Sequence, residues 1–146
     1  MSTTYTTDFN LWAQHTAQLL RERRWQEIDL EYLIEEVEDL GKSERRCISS
    51  QLTRLLLHLL KWQYQPQRRS DSWLDSITDA RTQIELAIQD SPSLKSYLKK
   101  QLEPGYQKAR RQASKQTGMP LSVYPTKCPY SLELILDEDW LPEKDD

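Results

Sequence analysis

At 146 residues the chain suits one domain with a real hydrophobic core, and 29% charged against 37% apolar residues fits a small helix-rich protein. Twenty Lys and Arg against 23 Asp and Glu leave a net charge of −3, the wrong background for general nucleic-acid binding. No apolar run approaches the roughly 20 residues that span a bilayer, and the opening MSTTYTTDFN has no basic stretch followed by an apolar one. Together these point to a cytoplasmic protein.

The first helix is expected to start after Thr7 or Asp8, either of which can cap it, and to run to about Arg24. Phe9, Trp12, Thr16, Leu19 and Leu20 share one of its faces, and Trp25 follows at the exit. Asp29 caps the next helix, with Ile28 and Leu33 at the positions of a hydrophobic staple. Leu30, Leu33, Ile34, Val37 and Leu40 form a stripe there. Beyond Gly41 come Ile48, Leu52, Leu55, Leu59 and Trp62 in the same phase, since 100° per residue returns Ile48 to the azimuth of Leu30. Glycine inside a helix costs only about 1 kcal/mol. One long helix over about 29–64 is therefore expected, with Gly41 as the place where it can bend.

Pro66 ends that helix, because Gln65 before it is driven from helical geometry and the proline has no N–H. Ser72 with Asp75 resembles a capping box for the next, whose buried face is Trp73, Ile77, Ala80, Ile84 and Ile88. Ser91-Pro92 reads as cap plus first helical position. Leu94, Tyr97, Leu98 and Leu102 carry that helix to Pro104; Tyr106, Ala109 and Ala113 line a further stretch, and Gly118 stops it. The remainder, with three prolines within the ten residues 120–129, should run extended over the bundle, with a short helix near 130–136 and a frayed acidic tip. No segment alternates with period two. The architecture expected is an all-α helical bundle in a single domain, its core spanning about 5–142.

Chemistry-bearing motifs are sparse. Cys47 and Cys128 form no CxxC pair and read as reduced thiols packed as small hydrophobes. GxGxxG, GxxxxGK[ST], GxSxG and HExxH are all missing. His58 and His15 lack an ExxH or HxxxH partner, so His58 reads as a boundary histidine bonded to a neighbour, and no metal, cofactor or catalytic residue is assigned.

Charge is arranged in blocks. Segment 27–39 carries seven acids and no base, 42–69 has seven bases and one acid, 95–115 again seven bases and one acid, and 133–146 seven acids and one base. Solvated faces with surface ion pairs account for such runs. A second reading pairs the long helix antiparallel with its twin, acid against base, in a two-fold dimer. Leu56, Leu57 and Leu60, beside the core stripe, offer more apolar surface than one neighbour needs and favour burial on two sides.

The best candidate contact is a basic–aromatic corner: Lys61, Tyr64, Arg68 and Arg69 with Trp73, joined by Arg81, Tyr106, Arg110 and Arg111. Arginine forks interleaved with aromatics suit phosphates and stacked bases. The structural alternative has Trp62 and Trp73 clamping the corner while the arginines pair with Glu35–Asp39 or the acidic tail.

The segments EEVEDLGKSERR (35–46), HLLKWQYQP (58–66), RSDSW (69–73), SPSL (91–94), YQKAR (106–110), TGMP (117–120) and CPYSLELILD (128–137) together resemble the bacterial, largely cyanobacterial, family of domain of unknown function 29. The resemblance spans about Tyr5 to Pro142 in the same order and spacing. It implies a compact α-helical protein and transfers no activity, cofactor or catalytic residue to any position.

The function expected is that of a non-enzymatic protein-interaction or self-association module, a homodimer or a partner of another protein. The alternative is binding of nucleic acid or another phosphate-rich anion at the corner 61–73. An enzyme using His58 and the acids at 35–39 is the third reading.

Overall fold

The computed structural model describes residues 8–143. Thr7, and the last three residues of the acidic tip, lie outside them. The described residues form five α-helices and no strand: α1 (Phe9–Arg21), α2 (Leu30–Tyr64), α3 (Asp71–Asp90), α4 (Leu94–Thr117) and α5 (Leu132–Leu136). Short 3-10 turns lie at Trp25–Glu27, Pro66–Arg68 and Leu121–Val123. The all-α class is as the periodicity requires. By packing, the chain divides into two compact units, Met1–Ser43 and Glu44–Asp146.

In the first unit, Asp8 caps α1 by accepting from the Leu11 amide at 3.1 Å. Trp12, Thr16 and Leu19 are buried, at spacings of four and three. The Trp12 ring stands edge-on to Tyr32 of α2, centroids 4.6 Å apart. The helix closes with Arg24 N–H donating to Leu19 and Arg23 N–H to Leu20, with Arg23 left-handed at φ 58. That is the Schellman closure, with arginine where glycine is usual. Arg24 then pairs with Glu22 and Glu27, holding both carboxyls below the usual range through its side-chain hydrogen bonds. Asp29 opens α2 by accepting from the Tyr32 amide at 3.2 Å.

Helix α2 is unbroken through Gly41, as one long helix over about 29–64 requires. Its apolar stripe does not have one fate. Leu30, Ile34, Val37 and Leu40 are between 43 and 72% exposed, whereas Ile48, Leu52, Leu55 and Leu59 are buried.

The second unit builds its core around the later part of α2. Leu56, Leu57 and Leu60 are buried too, within this chain, so they leave no apolar surplus to be covered from outside. Ile77, Ala80 and Ile84 of α3, Leu94, Leu98, Tyr106, Ala109 and Ala113 of α4, and Tyr124, Tyr130 and Ile135 complete the cluster.

Three boundaries differ from expectation. Helix α3 is capped by Ser70, whose hydroxyl accepts from the Trp73 amide at 3.3 Å, and not by Ser72. Ser70 has the extended backbone a cap needs, so the helix starts two residues earlier. Ser91 closes α3 through its amide to Ala87, and Pro92-Ser93 form a turn before α4 begins at Leu94. Helix α4 continues through Pro104. The hydrogen bond that proline removes would have used the carbonyl of Lys100, an exposed residue, and Pro104 is itself exposed. The buried face Leu98, Gly105–Tyr106, Ala109, Ala113 stays in phase across it and holds the helix together. Gly118, left-handed at φ 74, ends α4 as expected.

Candidate functional site

The residues singled out by sequence fall in the second unit and are drawn into two groups. At the corner between α2 and α3, the Lys61 ammonium lies 4.9 Å from the Trp73 ring centre and donates to Gln116 at 3.0 Å. Burial pushes its pKa down. Arg69 stacks its guanidinium 4.8 Å from the Trp62 ring centre, and its Nε donates to the Trp62 carbonyl at 2.8 Å. That carbonyl is one of those left open at the end of α2, so Arg69 closes the helix while its charge rests on an aromatic face. The Tyr64 ring meets Tyr124 edge-on at 5.3 Å. Arg68 is exposed on the 3-10 turn and its side chain has no hydrogen-bond partner among the described residues. The corner thus holds two separate cation–aromatic pairs, Lys61 with Trp73 and Arg69 with Trp62, while Tyr64 packs against Tyr124 and Arg68 is exposed.

Arg81 and Arg110 lie elsewhere and hold backbone. Arg81, only 7% exposed, donates from Nε to Ile135 and from Nη2 to Trp140, at 2.8 and 2.7 Å. Burial lowers its pKa, and the nearby Asp137 charge offsets part of that. Arg110 donates to the carbonyls of Leu121 and Tyr124 at 3.1 to 3.3 Å. Tyr106 adds a bond from its hydroxyl to Pro125 O at 2.6 Å. These three side chains strap the proline-containing C-terminal segment to α3 and α4. Apart from the 3-10 turn and α5 this segment has no backbone ladder, and the carbonyls of Leu121, Tyr124, Pro125, Ile135 and Trp140 accept from these side chains instead.

His58 is half-buried, with Nδ1 2.8 Å from the Arg54 carbonyl one turn back. Its pKa is lowered, chiefly by burial and then by the Lys61 and Arg54 charges, against the raising effect of that hydrogen bond. This is the boundary histidine expected. Cys128 is partly buried, and burial pushes its thiol up to about 11, which leaves little thiolate at neutral pH. Among the described residues no three His, Cys, Asp or Glu side chains come together as a metal site needs. No helix of the described residues is long and apolar enough to cross a membrane.

Residues 4–141 match the family described as domain of unknown function DUF29. The chain belongs to this family. No curated protein and no solved structure matches it.

Two features escaped the reading of the sequence. One is that the DUF29 chain leaves the stripe at Leu30, Ile34, Val37 and Leu40 uncovered, which periodicity alone cannot reveal. The other is an open groove of about 390 Å³ on the second unit, lined by residues of α2 and α4. Its signal was present in the sequence: Arg46, Ser50, Thr53 and Leu57 recur at helical spacing on a face that carries no acid.

Proposed function

We propose that this chain is a cytoplasmic, non-enzymatic self-association module whose long helix α2 pairs antiparallel with α2 of a second copy. The exposed stripe of Leu30, Ile34, Val37 and Leu40 carries the reading, because a contiguous apolar row on a helix is the usual mark of a partner helix. Charge selects a second copy as that partner. The segment 27–39 bears seven acids and no base, while exposed Lys42 and Arg45 follow on the same helix and have no acidic partner among the described residues. Glu38 and Arg45, seven residues apart, lie on one flank of α2. An antiparallel pairing centred near Gly41 sets Glu38 of each copy beside Arg45 of the other. The apolar row supplies affinity and the charges supply direction. Two unpaired thiols agree with a reducing compartment.

Analytical ultracentrifugation tests this. A dimer at micromolar concentration that weakens with salt is expected. Val37→Glu with Leu40→Glu should give a monomer of unchanged helicity, since both side chains are exposed. Glu38→Lys should weaken the dimer, and adding Arg45→Glu in the same chain should restore it. A wild-type protein that stays monomeric at low salt refutes the proposal.

A further inference from the structure

We propose that the groove between α2 and α4 binds a phosphate group, free or carried by a small phosphomonoester. It is lined by Arg46, Arg54 and Lys108 with Ser49, Ser50, Thr53 and Gln112, over a floor at Leu57, and holds about 390 Å³. No carboxylate lines it. Volumes of roughly 300–1,000 Å³ are those of small-molecule sites.

The cations are placed in two different ways. Arg54 is fixed: its Nη1 donates to Asp79 at 2.7 Å and to Gln51 at 3.2 Å, which orients the guanidinium and leaves its other N–H groups unassigned. Arg46 and Lys108 are exposed and have no acidic partner among the described residues. One oriented fork beside two unpaired cations and three hydroxyls matches a phosphate, which presents three terminal oxygens and close to two negative charges above its second pKa of about 6. A single carboxylate would leave most of these donors unused. A long polyanion is disfavoured by the net charge of −3. Leu57 and the aliphatic stem of Lys108 give an organic body something to rest on. The groove is distinct from the corner of Lys61, Arg68 and Arg69 and does not depend on self-association.

Isothermal titration calorimetry of the full chain at low ionic strength and near-neutral pH, with inorganic phosphate and with adenosine 5′-monophosphate as probes, tests the proposal. Saturable binding is expected. Arg46→Ala with Lys108→Ala should weaken it at least about tenfold, the effect of losing charge-assisted hydrogen bonds, with unchanged circular dichroism. Arg111→Ala, an exposed cation of α4 outside the groove, should leave it unaltered. Tighter binding of the nucleotide identifies an esterified ligand seated on Leu57, and equal affinity identifies free phosphate; both support phosphate recognition. Binding of neither probe, binding unchanged in the double variant, or an equal loss in Arg111→Ala overturns it.

Discussion

Arg81, in the core of the second unit, donates its Nε hydrogen to the carbonyl of Ile135 across 2.8 Å. A guanidinium is thereby a polar connection between α3 and a C-terminal segment that has only one short α-helix of its own. No buried side-chain nitrogen or oxygen is left without a partner among the described residues.

Arg81→Met should therefore destabilise the protein more than its loss of volume suggests. Two carbonyls, of Ile135 and Trp140, lose their donors, at about 1–3 kcal/mol for each left buried and unsatisfied. Urea denaturation should show the loss, and hydrogen exchange should show reduced protection concentrated in 130–142. Arg81→Lys should recover little, because an ammonium cannot reproduce the fork that reaches both carbonyls.

His58 makes stability depend on pH. Its folded pKa is lowered from 6.5, chiefly by burial. Below the unfolded pKa the unfolded chain binds a proton that the folded chain resists, so this contribution is present above that pKa and is lost as pH falls towards the folded value. The urea midpoint of the wild type should drop more between neutral pH and about pH 5 than that of His58→Gln. Parallel profiles would refute the assignment.

Pro104 and Gly105 weaken α4 from within. Pro104→Ala should restore one backbone hydrogen bond at an exposed position and stabilise the protein by about 1–3 kcal/mol, observed as a raised melting temperature. A Cβ added at Gly105 would meet Leu52 and Thr53 side-chain atoms at 3.6 Å, ordinary contact distance. Gly105→Ala should accordingly keep the helix-propensity gain of about 1 kcal/mol instead of losing it to a clash.

Arg23 occupies the left-handed position that closes α1. Arg23→Gly should stabilise the first unit by about 1 kcal/mol, the cost of a Cβ at that conformation. Local unfolding measured by hydrogen exchange across α1 checks it. Arg23→Ala, which keeps the Cβ, should show no such gain.

Much of this architecture was legible from residue order. The period of the leucines, Asp8 and Asp29 as caps, Pro66 as a stop and Gly118 as another are local effects, and each operates in the structure. Pro104 misled because its local penalty is outweighed by burial of Tyr106, Ala109 and Ala113 on a continuous face. Ser72 misled because Ser70, two residues earlier, is an equally competent cap. The candidate site was legible only as composition. The arginines at 69, 81 and 110 look alike in sequence, yet one stacks on Trp62, and two hold the backbone of the C-terminal segment.

The sequence by itself determined the helical class, the length of α2 and the segregation of its charge, because these follow from spacing along one chain. Only the tertiary structure decided which part of the α2 stripe is covered, which arginines are occupied, and that Arg46 and Lys108 converge on one groove. Coverage and convergence depend on contacts between residues far apart in sequence, and no local rule encodes them.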